Sequence, residues 1–208
     1  MTAPWAPYQP TLDITRDPRE GLDLTNRDDR VAYTRRLAEM LFVNYHEARE
    51  RRANYRWNSY GLVADDATIL LGVVEPDGPP GPFGAPGMEP TGPQPLNGQD
   101  LAYYHVFPDW GTVEGTFVCF PWDGGAFCRF RYEGHDTEGA ALGLWELNFF
   151  LVDDDGKVVH FECWNDSVNF DLLTEKVFGV PGSEIHGLTE YMEVFARVGA
   201  QFEPDAPA

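Results

Sequence analysis

The feature that most limits what this chain can fold into is a run of four strand-like segments between Thr112 and Asp166: TVEGTFVCFPW, GAFCRFRYEG, ALGLWELNFFLV and GKVVHFECWND. Each is rich in β-branched and aromatic residues. Turn signals separate them at Asp123-Gly124-Gly125, around Gly134 to Gly139, and at Asp153 to Gly156. Strand runs joined by short Gly/Asp turns predict an antiparallel meander. A two-residue turn at Asp123-Gly124 makes Cys119 and Cys128 cross-strand partners, expected to stay reduced core thiols.

Ahead of the meander the pattern is helical. Thr25 or Asn26 caps a helix in which Val31, Thr34, Ala38, Leu41, Tyr45 and Ala48 recur at three-to-four spacing, ending near EARERRANYRW. A second short helical segment carries Tyr55, Trp57 and Tyr60. LVADDATILLGVV, from Leu62, reads as a first strand, and QDLAYYHVFPDW as a short helix with His105 at its end. Helices followed by a meander, without βαβ alternation, predict an α+β fold with the helices packed on a strongly curved mixed or antiparallel sheet. Residues 1–25 are read as an extended arm and 26–185 as the domain. The Pro/Gly-rich insertion 75–98 is expected to hold no regular element and to lie at a pocket mouth. Residues 186–208 form a C-terminal helix and tail, with Leu188, Tyr191, Met192, Phe195 and Val198 on one face, packed on the body or on a second subunit.

Composition excludes some partners. With 15 Lys and Arg against 34 Asp and Glu, a formal charge of -19 repels nucleic-acid phosphates and anionic lipid. A neutral or cationic small molecule fits better. No apolar run reaches membrane-spanning length, and MTAPWAPYQPTLD lacks the pattern of a signal peptide, so a cytoplasmic location is expected. The cysteines and histidines have no metal-ligand spacing. A Gly-rich phosphate loop and a nucleophile elbow are also missing, and we expect no cofactor and no metal.

The order of elements, with FPDW and DGKV at this separation, resembles the nuclear transport factor 2-like superfamily. DLAYYHVFPDW and DDGKVVHFECWN are most similar to the phenazine-biosynthesis A/B proteins of its polyketide-cyclase-like branch, over roughly Asp29 to Ile185. The resemblance implies a cone-shaped pocket between helices and sheet, and a catalytic Glu on the last strand assisted by a His before FPDW. The matching residues are Glu162 and His105. Counted without a gap from Gly156 the family's Glu falls at Cys163, so Glu162 takes its place through a one-residue bulge.

Strand alternation puts His160, Glu162 and Trp164 on one face of the last strand and Val159, Phe161 and Cys163 on the other. It likewise separates Trp145, Leu147 and Phe149 from Glu146 and Asn148. Two outcomes stay open: Arg129, Arg131, Glu146, Asn148, His160 and Glu162 form one hydrated outer face, or Glu162 and His160, with Glu146 and Asn148, line a pocket. In the second case Tyr33, Tyr55, Trp57, Tyr60, Tyr104 and Trp145 join them as walls for a hydrophobic small molecule. Asp109 is read as structural. The functional expectation is a cofactor-independent acid–base enzyme, a cyclase, isomerase, dehydratase or condensation catalyst acting on a hydrophobic natural-product intermediate. The alternative is a non-catalytic binding or protective protein of the same fold. A homodimer is expected through Phe120, Trp122, Phe150 and Trp164.

Overall fold

A computed structural model of the chain describes residues 6–73, 80–82, 92, 94–96 and 98–202. Helix α1 (Arg27–Arg51) begins where the Asn26 side chain accepts hydrogen bonds from the amides of Asp28 and Asp29, and it ends at Arg52 in the left-handed region. Its buried positions, among them Tyr33, Leu37, Met40 and Val43, cover more than one face. The cause is the N-terminal arm, which lies against the side of α1 turned away from the sheet. Tyr8 bridges to Phe117 and its hydroxyl donates to Glu39, while Arg36 donates to the carbonyls of Pro18 and Glu20.

After α1 come β1 (Ala53–Asn54), a 3-10 turn at Trp57–Tyr60 and β2 (Val63–Leu71). Within the Pro/Gly insertion, two short pairings correct the expectation that no regular element forms. β3 (Gly81–Pro82) pairs with β2, and β4 (Gln94–Pro95) pairs with β1. The rest of the insertion lies outside the described residues, and its expected place at the pocket mouth with it. Helix α2 (Gly98–Val106) leads into β5 (Gly111–Thr112), β6 (Val118–Trp122), β7 (Gly125–His135), β8 (Ala141–Val152) and β9 (Val158–Asn165). Cys119 and Cys128 are register partners with free thiols, and Asp109 accepts from the amide and ring of His135, holding the helix-to-strand corner.

The sheet order is β3-β2-β9-β8-β7-β5, with β6 also on β7. All these pairs are antiparallel except β2 with β9, so the meander is closed by the first strand returning parallel to the last and the sheet is mixed. The pairings do not establish the strong curvature expected of it. Trp57 ties the layers together: its Nε1–H donates to the Leu37 carbonyl at 3.0 Å, and its ring meets Phe150 and Phe161 edge-on. Phe150 is therefore an inner residue, not part of an outer dimer face.

Two helices close the chain. α3 (Ser167–Phe178), absent from the sequence reading, is capped by Asp166 and stopped by Gly179 at φ 73°. α4 (Leu188–Gly199) packs on the body through Val194, Phe195 and Val198. The Asp166 carboxylate accepts from Asn169 N at 3.0 Å and from Trp145 N at 2.9 Å, joining α3 to the sheet. Asp166→Ala is expected to cost about 1–2 kcal/mol, the scale of an N-cap loss, measured as a lower urea midpoint with unchanged slope.

Candidate functional site

The inner face of β7, β8 and β9 is roofed by α1, α2, α3 and α4, leaving a cavity of about 520 Å³. Its walls are mostly apolar, and many of them are aromatic. Tyr103, Trp110 and Tyr132 stack in sequence at 5.9 Å and 5.7 Å, and Tyr45 meets Tyr132 edge-on at 5.2 Å. Such mutually braced rings keep their rotamers, so the cavity is largely pre-formed.

One carboxylate stands on the sheet side of this cavity, and it is Glu146 of β8. Asn148 Nδ2–H donates to its Oε1 at 2.8 Å and the Tyr132 hydroxyl at 3.3 Å, while Asn165 Nδ2–H donates to Oε2 at 3.4 Å. These are neutral donors. Burial pushes the Glu146 carboxyl above its ordinary range, and the hydrogen bonds only partly offset it. The neighbouring Cys163 thiol is pushed well up, first by burial and then by Glu146.

A second polar cluster lines the helical side. Arg56 Nη2 lies 3.3 Å from Asp100 Oδ1, and Asp100 Oδ2 accepts from Asn54, which in turn accepts from Asn44 Nδ2 at 3.2 Å. Arg56 Nε–H is buried and has no hydrogen-bond partner. That nitrogen is sealed inside the fold, and the arginine meets the cavity through the rest of its side chain. Among the described residues no group of three His, Cys, Asp or Glu is placed to hold a metal ion.

The expected site residues divide. Tyr55, Trp57 and Tyr104 line the cavity, and Asn148 is fully buried just behind it, holding Glu146. Tyr33 and Tyr60 lie outside it, their hydroxyls donating to the Gly156 and Ile14 carbonyls. Trp145 is on the outer face of the sheet under the Arg129 guanidinium. His105 is exposed at the end of α2, 5.1 Å from the Phe202 ring. Glu162 does not reach the cavity. It accepts from the His160 and Trp164 ring nitrogens at 3.0 Å and 3.1 Å, and His160 also meets Thr68 at 2.8 Å, all on the outer face. The His160 hydrogen bond, with that of Trp164, holds the Glu162 carboxyl below its usual range.

The physical reason is a bulge. Leu151 pairs with His160 but Val152 pairs with Val158, so Val159 is the extra residue. An irregularity near the start of β9 is therefore present, but it acts in the opposite sense to the one expected. Val158 is inside, and after the bulge Phe161, Cys163 and Asn165 are inside, which turns Glu162 out. Glu146 lines the cavity, one of the two places that strand alternation left open for it; missed altogether were Arg56 as a cavity group, and Tyr191 and Met192 of α4 as part of its lining.

No protein-family model matches the chain, and no curated protein does. Among solved structures, a phenazine biosynthesis-related protein from Pseudomonas aeruginosa is 14% identical over 76% of this chain and 87% of its own, with a TM-score of 0.45. A steroid delta-isomerase from the same species is 17% identical over 80% of this chain and 93% of its own, with a TM-score of 0.35. The first is of the kind that the sequence motifs resemble. At these identities and scores neither likeness carries an activity to this chain, and the site rests on its own geometry.

The two glutamates make opposite predictions for stability. A carboxyl whose folded value is raised costs nothing at low pH and destabilises as pH climbs through that value; one whose value is lowered stabilises above the unfolded value and loses this as pH falls. Glu146→Gln is therefore expected to melt higher than the unsubstituted chain at about pH 8, with the gain vanishing near about pH 4. Glu162→Gln is expected to melt lower at about pH 8 and to converge with the unsubstituted chain in acid. Thermal melts at the two pH values measure both.

Proposed function

We propose that this chain is an acid–base enzyme of the isomerase or lyase type, acting without a cofactor on a hydrophobic small molecule bearing a carbonyl, with Glu146 as its proton carrier. The observation that supports this is a single carboxylate, held by neutral donors and raised in pKa by burial, on the sheet side of an aromatic cavity. The Glu146 carboxylate takes a proton from the carbon next to the substrate carbonyl. A carbon–carbon double bond forms and the carbonyl oxygen gains the negative charge. The Arg56 guanidinium, which lines the same cavity, receives that oxygen. Returning the proton to a different carbon isomerises the substrate, and loss of a hydroxide in the same state dehydrates it. Both steps leave the oxidation level unchanged. Arg56 thus takes the carbonyl-orienting role expected of His105, and Glu146 that of Glu162.

The test is solvent-deuterium incorporation into a panel of cyclic β,γ-unsaturated ketones and 1,3-diketones, followed by mass spectrometry. Glu146→Gln is expected to slow exchange about 10²-fold or more, while Glu162→Gln leaves it unchanged. Ketones that bind in the cavity yet exchange no proton would put the non-catalytic binding protein in its place.

We further propose a homodimer through the outer sheet face. Phe120 and Trp145 are exposed there, and the Trp164 ring lies across β2, where a Cβ on Gly72 would fall 2.1 Å from it. Apolar surface of this kind is usually covered by a second copy. Sedimentation is expected to return twice 23.4 kDa for the unsubstituted chain and a monomer for Phe120→Glu. A monomer in both cases removes the dimer. No helix among the described residues is long and apolar enough to cross a membrane.

A further inference from the structure

Helix α4 lies beyond the stretch that resembles a known family, yet it supplies two residues to the cavity wall, Tyr191 and Met192. They differ in kind. Tyr191 faces inward, packed edge-on against Phe195 at 4.0 Å and within electrostatic reach of Tyr103, Cys163 and Glu146. Met192 lines the same cavity while 57% of its surface is open to solvent. A side chain that touches both the interior and bulk water stands at the mouth. Methionine, unbranched and with several rotatable bonds, yields to a passing ligand at low cost.

The attachment of α4 is uneven. Ahead of it, Ser183 N–H donates to the α3 residue Asp171 at 2.6 Å and Ile185 is buried, so the connecting segment is pinned to α3 as far as Ile185. The next turn contains Gly187 at φ 89°, a backbone conformation suited to glycine, and the Glu190 carboxylate accepts from the His186 amide across it at 2.8 Å. At the far end α4 approaches α2 so closely that a Cβ on Gly98 would fall 2.2 Å from the Gly199 carbonyl oxygen, and Phe202 packs on His105. With the helix held at both ends, the flexible Met192 side chain is the part of α4 that can move at the cavity mouth.

We infer that α4 is the gate of the cavity, in which Met192 controls passage of the ligand and Tyr191 limits its size. The inference rests on the cavity being the ligand site, as proposed above, and not on proton transfer by Glu146. It assigns the ligand a flat apolar body that slides past a thioether rim, and a length set by the Tyr191 ring.

Stopped-flow fluorescence of N-phenyl-1-naphthylamine, a flat neutral probe, tests this with the full chain. Met192→Trp, which enlarges the rim residue, is expected to slow association and dissociation together by about 10-fold, leaving their ratio within about 2-fold, as a barrier to passage requires. Met192→Ala is expected to raise both rates. Gly98→Ala, which pushes α4 off α2, should also raise both, with the melting temperature monitored to confirm folding. Val168→Ser, on the exposed side of α3 and outside the cavity lining, serves as a surface control and should change neither rate. Unchanged rates in both Met192 variants overturn the gate. So does a change in dissociation alone, no saturable signal with the unsubstituted chain, or a response to Val168→Ser as large as that to Met192→Trp. Proton exchange is followed separately by deuterium incorporation, so the loss of proton transfer and the loss of gating are distinguished.

Discussion

Whether Glu162 meets the cavity is decided by one extra residue. Val159 is inserted between two β9 positions that pair with adjacent residues of β8, Val158 with Val152 and His160 with Leu151. Side chains alternate along a strand, so an inserted residue exchanges the faces of everything beyond it. Without it, Val158, His160 and Glu162 would all point inward. With it, the inside of β9 is Phe161, Cys163 and Asn165, opposite Phe150, Asn148 and Glu146 of β8. The bulge thus decides which β9 side chains meet the cavity, while unbroken alternation along β8 places Glu146 there.

This arrangement also explains why the two glutamates differ so sharply. Glu146 is enclosed by rings and neutral amides, where an ionised carboxylate loses water without gaining a counter-charge. Glu162 keeps partial solvent contact and gains the His160 ring nitrogen. Enclosure shifts the Glu146 carboxyl upward, the direction that proton transfer at neutral pH favours. The outer set, Thr68, His160, Glu162 and Trp164, is a hydrogen-bonded surface cluster that stiffens the parallel contact between β2 and β9.

The fold was legible where local rules act. Asn26 capping α1, Asp123-Gly124 turning between β6 and β7, and the register of Cys119 with Cys128 all follow from residue types at short range. Helix α3 was equally legible in Asp166, the Phe170, Leu173 and Val177 spacing, and Gly179, but went unread. The site was not legible, for two physical reasons. A bulge has no signature in the Val-Val-His-Phe run that contains it. In addition, hydrophobicity pointed the wrong way on β8: Trp145, Leu147 and Phe149 form the outer face, whereas the polar Glu146 and Asn148 are inside because they border a cavity rather than a packed core. His105 failed for a related reason. On α2 the inward positions are taken by Asp100, Tyr103 and Tyr104, and the next residue is carried round to solvent.

The central claim is that Glu146, not Glu162, is the carboxyl prepared for proton transfer. Titration of the side-chain carboxyl carbons by ¹³C NMR, with the Glu146 and Glu162 resonances assigned by their Gln variants, measures it directly. The account predicts that Glu146 titrates above the ordinary glutamate range and Glu162 below it. A Glu146 that titrates at or below the ordinary value, or a Glu162 raised above it, would contradict the account.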